Sequence, residues 1–191
     1  VTHVKNWIAG FAVLMLAGAA AADEAPDKII ICQGCHGDAL VSQNQNIPTL
    51  SGQQPGYVQI QLYLFHEGGR KAEGMSEVAQ GLSDDDMRAL ASYLGSLPKP
   101  QPPAEAGDPA RMAAAKALAD KEHCNSCHNP DYSGHDNIPR IADQREDYLT
   151  KTMRDYKSNQ RPGYDATMAE VMQPISDQQI VELAYYLAHF R

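Results

Sequence analysis

The residues of this chain best equipped for chemistry are its four cysteines, and all of them fall into two copies of one pattern: Cys32-Gln33-Gly34-Cys35-His36 and Cys124-Asn125-Ser126-Cys127-His128. Two thiols three positions apart, followed at once by an imidazole, form the attachment pattern of c-type haem. The thiols make thioethers to the porphyrin and the histidine ligates its iron. A lone Cys-x-x-Cys also suits a redox dithiol, a disulfide or half of a zinc site. Zinc knuckles are usually separated by a short gap, whereas about ninety residues intervene here, and zinc gives no reason for a His after each second Cys. A redox dithiol gives no reason for a second copy. The doubled motif therefore predicts two covalently bound haem c groups, carried by Cys32, Cys35, Cys124 and Cys127, with His36 and His128 as iron ligands.

A six-coordinate haem needs a second axial ligand, and the soft thioether of methionine raises the potential relative to a pair of histidines. An internal repeat selects the candidates. Asn46-Ile47-Pro48 is matched by Asn137-Ile138-Pro139, Gln53 by Gln144, Tyr57 by Tyr148 and Arg70 by Arg161, all at an offset of 91. Met75-Ser76-Glu77-Val78 is matched by Met168-Ala169-Glu170-Val171, and Leu82-Ser83-Asp84 by Ile175-Ser176-Asp177, at an offset of 93. Met75 and Met168 stand in register, in polar or Gly-rich segments expected to be loops, and are the candidate distal ligands. Met87, Met112 and Met153 read as core filler. Met172 competes in the second copy, but its counterpart Ala79 has no ligating atom. His66, His123, His135 and His189 have no His at the matching position and read as surface or packing residues.

The elements that must position these groups follow from the same repeat. The Pro-rich run from Leu97 to Ala104 is an extended, semi-rigid spacer. It divides the chain into residues 23–97 as a first domain, 98–109 as a linker and 110–191 as a second domain. Each domain is short enough that side chains alone build a marginal core, so a buried haem couples attachment to folding. Ser83 and Ser176 are expected N-caps, Ser176 with Gln179 forming a capping box. Met87, Leu90, Leu94 and Leu97, and then Ile180, Leu183, Leu187 and Phe190, follow with the spacing of one helical face. Helical segments over residues 27–31 and 110–123 lead into the two motifs. No stretch alternates with period two, so the fold is expected to be all-α.

Lys5 followed by an apolar run ending in Ala20-Ala21-Ala22 reads as a signal peptide over residues 1–22, cleaved after Ala22. A retained anchor would need a run closer to the roughly 20 apolar residues of a spanning helix. A leading Val in place of Met is expected of an alternative bacterial start codon, which makes the destination the periplasm. Losing Lys5 takes the formal charge from −8 to −9. Such a field argues against nucleic acid and anionic membrane surfaces and favours redox partners with basic docking faces, with membrane association only through a partner.

On these motifs the chain resembles the dihaem cytochrome c4 family: an export signal, then two class I cytochrome c domains in tandem, each with Cys-x-x-Cys-His and a later Met. The resemblance covers residues 23–191. It implies Met75 and Met168 as distal ligands, and Pro48 and Pro139 as carbonyls that accept from the His36 and His128 imidazoles. It also implies two domains packed about an approximate two-fold axis. The loops after each motif, with Asp38-Ala39-Leu40-Val41 and Asp131-Tyr132-Ser133-Gly134, are less Gly-rich than the family pattern.

The function expected is single-electron transfer between an upstream dehydrogenase and a downstream terminal oxidase or other cytochrome, with no substrate transformed. The alternative is the electron-accepting cytochrome subunit of a periplasmic dehydrogenase acting on a sulfur compound, an alcohol or through flavin. A dihaem peroxidase would need an open haem, and a thiosulfate-oxidising cytochrome would need a fifth cysteine as distal ligand, which this chain lacks.

Overall fold

Serine caps and prolines set where four of the described helices begin. The computed structural model describes residues 25–161 and 166–191; the expected signal peptide lies outside them. In the first half run α1 (Ile29–His36), α2 (Pro55–His66), α3 (Met75–Gln80) and α4 (Asp84–Ser96). The second half contains α5 (Pro109–Lys121), α6 (Cys124–His128), α7 (Glu146–Lys157), α8 (Thr167–Met172) and α9 (Asp177–Ala188). Among the described residues there is no strand, only one isolated bridge between His135 and Ile138.

Pro55 and Pro109 occupy first-turn positions, where the N–H they lack would be unpaired in any case. Both α4 and α9 open on capping boxes: Asp86 N–H donates to Ser83 Oγ (3.2 Å) and Ser83 N–H to the Asp86 carboxylate (2.8 Å), while Gln179 does the same with Ser176 at 3.2 and 2.8 Å. Met87, Leu90 and Leu94 then face one core, and Ile180, Leu183 and Leu187 another. Leu97 and Phe190 lie past the helix ends but still pack against those cores.

Three local expectations are corrected. Met75 and Met168 sit in the first turns of α3 and α8, not in loops; Gly74, at φ 76°, turns the chain into α3. The helix expected over 110–123 starts at Pro109, inside the expected linker, because Asp108 caps it by accepting from Arg111 N–H (2.8 Å). It stops at Lys121, and His123 in left-handed conformation (φ 56°) separates it from α6. Helices α2 and α7 were not among the expected segments, although Val58, Leu62 and Phe65 in one and Leu149 and Met153 in the other keep the spacing of one helical face.

In the first half α2 packs on α3 and α4; in the second, α7 packs on α8 and α9, and α5 on α6 and α9. Each half thus has its own apolar core, where each buried large side chain contributes roughly 1.5–3 kcal/mol. The second includes Tyr132, Tyr186 and Phe190 meeting edge to face. Residues 97–108 contain no helix or strand and are strapped to both halves. Ser51 Oγ donates to Pro98 O (2.7 Å), and Asp108 N–H donates to Tyr185 Oη (2.7 Å). The strap passes so close to Gly52 (φ 64°) that a Cβ there would lie 2.9 Å from Lys99 Cα.

Candidate functional site

Each Cys-x-x-Cys-His motif is helical, which puts both cysteines on one turn and the histidine just beyond. His36 Nδ1 donates to Pro48 O (2.7 Å) and His128 Nδ1 to Pro139 O (2.9 Å). A carbonyl only accepts, so Nδ1 carries the proton and the neutral ring keeps its lone pair on Nε2. Burial lowers the pKa of both rings, outweighing the opposing effect of the proline carbonyls. Both histidines are therefore held neutral, the form that binds a metal. Burial raises the Cys32 thiol and carries Cys124 up to about 11. Cys35 and Cys127 are exposed, and no disulfide joins any of the four cysteines.

The backbone that presents each proline carbonyl is built alike in the two halves. Leu40 and Tyr132, both buried and both in left-handed conformation (φ 58° and 53°), turn the loop after each motif. Leu40 O accepts from Leu50 and Ser51 N–H; Tyr132 O accepts from Ile141 and Ala142 N–H.

Met75 packs against the same core as Cys32, and Met168 against the same core as Cys124. Met172 is buried within the second core, only 3% exposed. Met87 and Met153 are also core residues, and Met112 is partly buried. Among the other histidines, His66 Nδ1 donates to Ala79 O, His189 Nδ1 to Tyr185 O, and His135 faces Asp136 on the surface.

The halves meet through pairs of residues that the repeat had aligned. Gln53 Nε2 donates to Arg140 O (3.0 Å) while Arg140 N–H donates to Gln53 Oε1 (2.7 Å). Gln144 Nε2 donates to Thr49 O (2.9 Å) while Thr49 N–H donates to Gln144 Oε1 (2.8 Å). Arg145 reaches Ser42 O, and Gln54 reaches Ser133 O and Gly134 O.

Beside these lies a cationic cluster. Arg161, 3% exposed, donates to Tyr57 Oη (2.6 Å), Tyr148 Oη (3.1 Å), Gln61 Oε1 and Thr152 Oγ1. Arg70 donates to Gln61 Oε1 (2.6 Å) and Tyr148 Oη (3.5 Å). Burial pushes the Tyr57 phenol up. At Tyr148 burial acts the same way, but Arg161 and Arg70 outweigh it and hold that phenol below its ordinary value. Among the described residues neither guanidinium makes a salt bridge to a carboxylate. Two cations facing neutral acceptors suit an anionic group. Tyr57, Tyr148, Arg70 and Arg161 were visible as a constant offset of 91, but nothing local assigned them a role.

Helices around a doubled Cys-x-x-Cys-His motif, each with a neutral, carbonyl-anchored histidine, define a c-type cytochrome. The cytochrome c family model matches residues 18–98 and again 112–191, and the chain belongs to that family. It is 29% identical to cytochrome c4 of Azotobacter vinelandii, over 90% of this chain and 89% of that protein. It is also 29% identical to the thiosulfate dehydrogenase electron acceptor of Stutzerimonas stutzeri, over 96% and 94%. The solved structure of reduced cytochrome c4 from Pseudomonas stutzeri superposes with a TM-score of 0.77 at 27% identity, covering 86% of this chain and 95% of that one. The chain is a dihaem electron-transfer protein with two covalently bound haem c groups, and it is not an enzyme. When bound, each haem supplies an iron that exchanges one electron between its ferric and ferrous states.

Proposed function

We propose that one haem is held by Cys32, Cys35, His36 and Met75 and the other by Cys124, Cys127, His128 and Met168. Pro48 and Pro139 orient the two histidines through their carbonyls. The observation that carries this reading is the matched pair of Nδ1–H···O=C bonds at 2.7 and 2.9 Å, which fixes the tautomer and leaves Nε2 to the iron. Placement of Met75 and Met168 against the cores of their own motif cysteines supports their role. Burial of Met172 in packing rather than at a core margin speaks against it as a ligand. Arg70 and Arg161, with Tyr57 and Tyr148, bind the haem carboxylates between the domains. Residues 23–97 and 110–191 act as two redox domains joined by residues 98–109.

The protein works in the periplasm, exported by residues 1–22, and docks through its acidic surface to redox partners with basic faces. Among the described residues no helix is long and apolar enough to cross a membrane. A second reading, favoured by the likeness to a thiosulfate dehydrogenase electron acceptor, makes the upstream partner a dehydrogenase with which the chain forms a complex.

The ligand assignment is tested by substitution. Met75→His and Met168→His should each lower the potential of one haem and remove half of the methionine-to-ferric-iron charge-transfer absorption, while Met172→His leaves that absorption intact. Loss of the absorption in Met172→His but not in Met168→His would reassign the second ligand.

A further inference from the structure

The reciprocal glutamines touch the peptide units on which the iron ligands hang. Pro48 C=O and Thr49 N–H belong to one peptide group: its carbonyl accepts from His36 Nδ1, and its N–H donates to Gln144 Oε1 of the other domain. Pro139 C=O and Arg140 N–H form the equivalent group, between His128 Nδ1 and Gln53 Oε1. Both glutamines are 4% exposed. Each Oε1 accepts a second N–H from its own neighbour, Gln54 at 2.9 Å and Arg145 at 3.0 Å, and each Nε2 donates across the interface. With every polar atom committed, the amides have one orientation and cannot flip.

We propose that Gln144 and Gln53 are crossed positioning residues, each tuning the axial histidine of the opposite domain through one peptide group. Hydrogen bonds in series polarise one another: a peptide whose N–H is bonded presents a more negative carbonyl oxygen. That oxygen draws harder on the histidine N–H, raises the basicity of the ring and favours ferric iron, which lowers the potential. Docking of the domains thereby sets both potentials. A glutamine that served only to hold the domains together would have no reason to act on one haem and spare the other.

This inference rests on His36 and His128 being the ligands, and its test separates the two. In the intact dihaem protein, Gln144→Leu removes the acceptor at similar volume. The haem attached at Cys32 and Cys35 should then rise in potential, by about twofold in its ferrous-to-ferric ratio, the size expected if a hydrogen bond loses roughly 10–30% of its strength. That is about 18 mV at 59 mV per tenfold for one electron. The haem at Cys124 and Cys127 should keep its wild-type value, and Gln53→Leu should give the mirror image. NMR-monitored redox titration, with resonances of each haem followed separately, reads both values.

Gln144→Glu keeps an oxygen on the Thr49 N–H and guards against simple loss of docking; it should leave the first haem unchanged or lower its potential. In the leucine variants, no shift, equal shifts of both haems, or a shift confined to the haem of the glutamine's own domain would each overturn the proposal, as would a rise in Gln144→Glu matching that of Gln144→Leu. Ferric wild-type protein in which His36 ring nuclei show no hyperfine shift would instead remove the ligand assignment.

Discussion

The two halves of this protein agree where they meet each other and differ where they pack alone. The peptide after each Asn-Ile-Pro and the glutamine that clamps it recur on both sides of the interface, beside a cluster to which both halves contribute a Tyr and an Arg. Around them the halves diverge. The second half leads into its motif with α5, capped by Asp108 and laid along α9, and fills its core with three aromatic rings. The first half has only α1, with no side-chain cap and no comparably packed partner helix among the described residues. Lys28 ties the start of α1 to the α4 cap, donating to the Asp86 carboxylate (2.7 Å) and to Gly81 O (3.0 Å). After a duplication, groups that answer to a partner are constrained by it, whereas a private core only has to be filled.

The strongest test of this contrast removes the haems one at a time. Cys32→Ser with Cys35→Ser, and separately Cys124→Ser with Cys127→Ser, should each halve the covalent haem. The first pair should cost more helix by circular dichroism and open its domain to proteolysis, since α1 has little else to hold it. Equal losses, or a larger loss from the second pair, would break the comparison.

A smaller effect is expected where a matched position changed chemistry. Thr49 corresponds to Arg140, whose buried guanidinium reaches into the first domain, donating to Ser51 O (3.2 Å) and Gly52 O (3.3 Å) and also to Ala142 O. Burial lowers the pKa of Arg140 to about 10, so it stays charged at neutral pH. Arg140→Ala should cost on the order of 2 kcal/mol by stranding buried carbonyls, against about 1 kcal/mol or less for Thr49→Ala. Denaturant unfolding of the two variants ranks them, and the reverse order would show that the symmetric clamp alone carries the docking.

The smallest expected effect distinguishes the caps. Asp86 is held well below its ordinary range, chiefly by the hydrogen bond from Lys28 and then by Ser83. It therefore adds stability above the unfolded value, roughly pH 4, and loses it as pH falls through its depressed folded value. Its counterpart Gln179 has no proton to gain. Melting curves between about pH 2 and 6 should show an acid-sensitive limb in the first domain that Asp86→Asn flattens and that Gln179→Glu introduces in the second.

Spacing along the chain determined what is local: a doubled Cys-x-x-Cys-His motif, a duplication in which Met75 and Met168 align, and capped helices with buried stripes. These were legible because a helical turn and a haem motif are each complete within a few residues. Helices α2 and α7 were legible in the same way, through Val58, Leu62 and Phe65 and through Leu149 and Met153 at helical spacing, but no serine cap marks where they begin. Only the tertiary structure decided that Gln144 grips Thr49 while Gln53 grips Arg140, that Arg161 is buried facing two tyrosines, and that Met172 fills a core. Those contacts join residues some ninety positions apart. Their energy appears only when two preformed surfaces exclude water between them, and no periodicity in either segment records that event.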